Sequence, residues 1–409
     1  MTKQPLWTRN FTIVTFATVV SMLGNAVAGF AIGLLVLDYT GSTLLYAIFT
    51  VAYNLPKIIM PSLAGPYIDR FSRVKVLYAL DFVSMALYLA IFGALSLGWF
   101  NYGVMLFLCI VIGTIDSVYL VTYDSFYPTL ISEGNFSKAY SIASMIYPLS
   151  AAMVPVAAWC YKSIGLEPLF LFNAATFLVA GIAETQIKTE EKHILAEPKS
   201  YDFGRYIGDF KDGLAYLKRE KGLLFITAYF VANTLIFNGT GTLVLPYFKA
   251  TEGLGVSIYT YVMAFSVAGR MIGGFVHYHH RYPTHLKFII AFCVYVAISL
   301  IESTYLFLPV ALMMGLMFVS GLLSVTSYNI RISSTQSRVP NELRGRFNGT
   351  FQMLTTLGGI AGSLIAGALG DRFPIRNVIC VLGLIGTVFA FAIMLPGRKH
   401  VMEVYNIQL

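Results

Sequence analysis

Twelve long apolar runs joined by short polar turns fix what this 409-residue chain can fold into. They fall near 11–37, 43–65, 75–97, 103–127, 139–161, 168–187, 222–245, 257–279, 287–308, 310–330, 347–370 and 377–396. Each is close to the ~20 residues a helix needs to cross a bilayer core. Backbone groups in lipid have no water to bond, so only helices and closed barrels can span it. The runs are continuous, not alternating, which selects helices. Composition agrees: 57% of residues are hydrophobic and 12% charged, against roughly 25% charged in a soluble domain. The first run is read as a span and not a cleavable leader, being too long, without a small-residue cleavage site and soon followed by another run.

Basic residues set the expected orientation. With the N-terminus inside, 22 lysines and arginines fall in inner segments, including Lys3, Arg73, Lys188, Lys218, Arg281, Arg331, Arg344 and Lys399, whereas the outer loops hold only Lys162, Lys249, Arg372 and Arg376. The asymmetry predicts both termini cytoplasmic, in an inner cell membrane. It also accounts for the net charge of +8 without nucleic acid, with anionic membrane lipid as the partner of the positive face. Cys109, Cys160, Cys293 and Cys380 lie far apart within expected spans and read as packing residues.

Two halves are expected: a six-helix bundle over 1–187, a cytoplasmic linker over 188–221, and a second bundle over 222–409. The linker is the one long hydrophilic stretch, and its segment from Asp209 to Glu220 has the pattern of an amphipathic helix lying on the inner surface. Ile131–Lys138 before span five and Val339–Arg346 before span eleven are similar polar turns ahead of small-residue-rich helices. Parallel repeats of this kind build two-domain carriers.

The loop after span two reads Gly65-Pro-Tyr-Ile-Asp69-Arg70-Phe-Ser-Arg73-Val-Lys75. It resembles the signature loop of the major facilitator superfamily, departing at Ser72 and Val74. Leu55-Pro56, Pro61, Asp81, Asp212-Gly-Leu-Ala-Tyr-Leu, Leu245-Pro246-Tyr247 and the Val339–Arg346 turn extend the similarity to the drug-exporter branch that includes macrolide-efflux and enterobactin-exporter-like proteins. The resemblance implies an all-α membrane protein of twelve helices in two pseudo-symmetric six-helix bundles; since one chain already closes that pair of halves, a monomer is expected, and no cofactor is called for. It implies alternating access, with Gly65, Asp69, Arg70, Arg73 and Asp124 at an inner gate. Two departures bear on proton antiport: Asn25 replaces an acidic residue, and the segment Tyr147–Pro155 is poor in glycine.

No phosphate-binding Gly-Lys-Ser/Thr loop is present, so this chain alone does not spend ATP, and no enzyme motif appears. His277, His279, His280 and His285 cluster in one inner loop, read as a wet cationic interface and not a metal site. Charges within spans are costlier, at roughly 2.5–3.5 kcal/mol each on insertion scales. They are Lys57, Asp81, Asp116, Asp124, Arg270 and Glu302; Asp38 and Glu184 are read as interface anchors. Lys57 and Asp81 have similar depths and are expected to pair, as are Asp124 and Arg73. Asp116, near mid-membrane on span four, is the first proton-coupling candidate, a buried carboxyl able to alternate between protonated and ionised; Glu302 and Asp81 follow.

Spans one, four, seven and ten line the cavity in the family the chain resembles. On or beside them lie Asn25, Phe30, Tyr119, Tyr123, Tyr229, Asn233, Phe237, Asn238, Tyr328 and Asn329. Tyrosine and asparagine offer hydrogen bonds beside apolar surface, which suits an amphipathic small molecule. The expected function is proton-driven export of such a molecule, drug-like, macrolide or siderophore. The alternatives are a lipid or lysophospholipid transporter of the same fold and a non-transporting receptor or scaffold.

Overall fold

The computed structural model describes residues 5–60, 71–132, 139, 142–143, 146, 149–150, 153–189, 203–279 and 282–406. Among them are fourteen α-helices and no strand: α1 (Arg9–Thr40), α2 (Thr43–Asn54), α3 (Arg73–Ser96), α4 (Tyr102–Phe126), α5 (Met153–Ile164), α6 (Glu167–Glu184), α7 (Phe203–Arg219), α8 (Lys221–Ala250), α9 (Gly255–His279), α10 (Lys287–Thr304), α11 (Val310–Arg338), α12 (Asn341–Gly370), α13 (Ile375–Phe389) and α14 (Arg398–Tyr405). Among the described residues, eleven helical segments are long and apolar enough to cross a membrane. Eight of the 23 residues of the expected fifth span, 139–161, lie outside the described residues, as do Gly65, Asp69 and Arg70.

Short polar residues start the helices. Thr8, Ser72 and Asn101 accept the backbone N–H of Phe11, Lys75 and Val104 and so cap α1, α3 and α4. Ser72, a departure from the signature loop, is therefore the residue that begins α3. The α1 helix ends at Gly41, whose φ of 65° only glycine adopts cheaply.

Contacts divide the chain into two compact units, one of Met1–Gly41 with Ala52–Arg205, the other of Ser42–Val51 with Tyr206–Leu409. In the first, Phe11, Val14, Leu77, Phe126 and Tyr127 form a buried cluster. In the second, Tyr229, Phe230, Tyr295, Phe351 and Tyr405 fill one cluster and Leu243, Phe248, Val262 and Tyr305 another. Also in the second unit, Asp371 closes the N-terminus of α2. It accepts hydrogen bonds from Ser42 Oγ (2.6 Å), Thr43 N (2.6 Å) and Thr43 Oγ1 (2.7 Å). Partial burial favours the protonated form, but these bonds outweigh it and hold the Asp371 carboxyl below its ordinary range.

Several boundaries differ from the hydropathy reading, two of them by taking polar sequence into a helix. The amphipathic helix α7 begins at Phe203 instead of Asp209 and buries Leu217 in the second unit's core. The tenth expected span, 310–330, continues as α11 to Arg338. Within this polar extension Ser333 and Thr335 satisfy their hydroxyls on the helix's own carbonyls, those of Asn329 (2.7 Å) and Arg331 (2.8 Å). Arg331, expected in an inner loop, is therefore inside a helix.

Candidate functional site: buried carboxyls of the first unit

On α3 the residues Val74, Leu77, Asp81, Ser84, Tyr88, Ile91 and Leu95 are buried. Their spacing of three and four places them on one stripe. Tyr88 stacks on Phe177 (5.8 Å between ring centroids) and Phe170 (6.4 Å) of α6. Two turns before Tyr88 stands Asp81, and two turns beyond Phe177 stands Glu184. The helices run antiparallel, so the same stripe that joins the rings joins the carboxyls. Gly181 permits the approach: a Cβ there would lie 3.4 Å from the Asp81 Cβ and 3.3 Å from the Phe82 ring.

Asp81 is 1% exposed and Glu184 0%. The Tyr119 hydroxyl of α4 donates to Glu184 Oε1 (2.9 Å). Among the described residues, neither Asp81 oxygen nor Glu184 Oε2 accepts a hydrogen bond. The two carboxyls bear on each other electrostatically, and Asp116 bears on Asp81. Glu184 is thus not an interface anchor. The seven-residue interval from Phe170 through Phe177 to Glu184 is the signal that could have found it.

The expected pair of Lys57 and Asp81 does not form. Asp81 belongs to the stripe that faces α6. Lys57 Nζ instead lies 3.8 Å from the centroid of the Tyr53 ring. Tyr53 in turn donates its hydroxyl to Asp116 Oδ2, and Lys57 and Asp116 interact electrostatically. Gly113 sets this arrangement, since a Cβ there would overlap the Tyr53 carbonyl; Asp116 follows one turn later. Asp116 therefore has a cation beside it, contrary to the premise that made it the first coupling candidate.

Nor do Asp124 and Arg73 pair. Arg73 reaches the end of α4 but donates Nη1 to the Ser125 carbonyl (2.9 Å), and Asp124 is exposed. In the second unit, Glu302 is buried and within electrostatic range of Arg270, which is exposed.

The expected ligand-facing residues separate by burial. Tyr229 is 1% exposed and stacks on Tyr295 (4.4 Å), a core position. Phe30 is buried, Asn25, Asn233 and Asn329 are half-buried, and Phe237, Asn238 and Tyr328 are exposed. Tyr119 and Tyr123 stack at 6.4 Å on α4. Among the described residues no three His, Cys, Asp or Glu side chains converge as metal ligands. His285 is exposed, while His280 lies outside the described residues.

The sequence over residues 14–363 matches the model of the Major Facilitator Superfamily. The chain belongs to that superfamily. It is thus a multi-pass membrane transporter and not an enzyme. It is 25% identical to the MFS-type transporter YkuC of Bacillus subtilis over 65% of this chain and 64% of that protein. It is 21% identical to macrolide efflux protein A of Streptococcus pyogenes over 98% of this chain and 99% of that one. Among solved structures it resembles the nucleoside transporter NupG (TM-score 0.71, 15% identity, 96% of this chain and 100% of that one). It also resembles a bacterial homologue of the iron transporter ferroportin in its inward-facing state (TM-score 0.70, 13% identity, 97% and 100%). These likenesses establish the major facilitator fold.

Proposed function

We propose that this transporter is a proton-driven exporter of an amphipathic small molecule, with both termini cytoplasmic, and that Asp81 and Glu184 carry the coupling proton. The observation that carries the reading is the facing pair of buried carboxyls with three unbonded oxygens. In the first unit Lys57 bears on Asp116, whereas among the described residues no cation bears on Asp81 or Glu184. An uncompensated charge in such surroundings is expensive. Lys57 balances Asp116, and a proton taken up by Asp81 or Glu184 reduces the remaining charge. Tyr119 orients Glu184 and connects the pair to α4, a cavity-lining helix in this superfamily.

Support for export comes from similarity to a macrolide efflux protein along almost the full chain. Support for a gate comes from Arg73, which ties the start of α3 to the end of α4; in this proposal Asp69 completes the gate. The experiment is substrate counterflow set against active accumulation in reconstituted vesicles. Asp81→Asn and Glu184→Gln should keep exchange of substrate down its own gradient and lose accumulation driven by a pH gradient. Wild-type accumulation in both variants would remove the pair from coupling.

A further inference from the structure

We propose that Arg331 of α11 binds the anionic group, carboxylate or phosphate, of an amphipathic molecule. Arg331 stands seven residues before the end of its helix, about 10 Å along the axis at ~1.5 Å per residue. Its guanidinium carbon lies 4.8 Å from the ring centroid of Phe351, 5.0 Å from that of Phe230 and 5.3 Å from that of Tyr328. Phe230 and Phe351 are buried, whereas Tyr328 is 55% exposed, so the aromatic cage opens on the Tyr328 side.

The cage holds the cation without satisfying it. Ring faces attract a guanidinium but do not accept its five N–H bonds in the plane of the fork. Nε is buried without a hydrogen-bond partner. Among the described residues no carboxylate pairs with Arg331, whereas Arg338, two turns on, pairs with Glu220 at 3.2 Å. The nearby phenols of Tyr295 and Tyr405 bond each other (2.8 Å). A planar fork with free donors suits a carboxylate or phosphate, which it engages through two parallel bonds. The surrounding rings suit an apolar or aromatic body. Organic anions are therefore preferred over organic cations. As an assignment of cargo this rests on the export reading; as an anion site it does not.

The test uses the full-length protein in phosphatidylcholine nanodiscs, titrated with dansylated undecanoate and with its uncharged methyl ester. Wild type should bind the carboxylate about tenfold more tightly than the ester. Arg331→Gln should retain ester binding, which reports that it is folded, and bring the two affinities to within about twofold. Arg331→Lys, a point charge without the fork, should fall between. If Arg331→Gln does not fold, the probe pair on wild type and Arg331→Lys decides. Equal affinities in wild type, or a preference that survives Arg331→Gln, would overturn the proposal. Replacing part of the lipid by phosphatidylglycerol separates the sources: Arg331-dependent displacement of the probe identifies a lipid headgroup, and no displacement identifies soluble cargo. Vesicle transport of both probes separates the two readings. Transport without anion preference removes this inference alone; Arg331-dependent binding without any transport removes export alone.

Discussion

Neutralising either Asp81 or Glu184 should stabilise the protein, and neutralising both should gain less than the two gains summed. The Asp81 Cβ lies 3.4 Å from the position a Cβ would take on Gly181. Glu184 is one turn further along α6, and Cβ atoms so spaced on a helix are about 5–6 Å apart. That spacing brings the carboxyls within about 5–9 Å of each other, where two unit charges repel by about 2–3 kcal/mol at an effective dielectric near 20. A shared proton removes part of that, so Asp81→Asn or Glu184→Gln should each gain about 1–2 kcal/mol. The double variant Asp81→Asn/Glu184→Gln should gain less than the two single gains summed, because the first change already removes the repulsion while each carboxyl's own burial cost is lifted separately. Thermal unfolding of the four proteins in one detergent at pH 8 forms the double-mutant cycle. Additivity to within about 0.5 kcal/mol would refute the contact. So would destabilisation by each single variant, since it would mean that the carboxylates hold bonds an amide cannot replace.

Lys57→Met and Asp116→Asn should each leave an unbalanced charge and lose about 3–5 kcal/mol, while the double variant recovers much of it; the same cycle with Asp81 in place of Asp116 should show no coupling. Asp371→Ala removes the cap on α2 and should cost about 1 kcal/mol or less, given the group's exposure. Because bonding lowers the folded-state pKa of Asp371, this contribution is complete above the unfolded value near 4 and is lost as pH falls through the folded one; thermal unfolding between pH 7 and pH 3 should show wild type and Asp371→Ala converging at the acid end. A cysteine placed at position 200 should resist an impermeant thiol reagent applied outside intact cells and react after permeabilisation; ready labelling from outside would invert the topology.

The spans were legible because apolar runs and the bilayer share one length scale. Most described helices overlap the runs, but several ends differ by more than a few residues: α2 ends at Asn54, α13 at Phe389, and α11 runs on through polar sequence to Arg338. Depth counted along the sequence was insufficient. It made Lys57 and Asp81 expected partners, but helix rotation turns Asp81 toward α6 and leaves Lys57 to Tyr53 and Asp116. The stripe from Val74 to Leu95 carried that information at a spacing of three and four. Glu184 was hidden by its place at the end of an apolar run, where an acid ordinarily meets water. Arg331 was hidden for a similar reason, since arginines at the ends of inner spans ordinarily anchor the interface, and only packing reveals the three rings around it.

Proton flux tied to substrate movement tests the central claim most directly. Proteoliposomes holding a pH-sensitive dye inside are given an outward or inward gradient of a macrolide or of dansylated undecanoate, with no pH gradient imposed. In wild type, protons should move opposite to the substrate. In Asp81→Asn and Glu184→Gln this movement should disappear while substrate exchange continues. Substrate crossing with no proton movement in wild type, or protons moving in the same direction as substrate, would contradict proton-driven export by this chain.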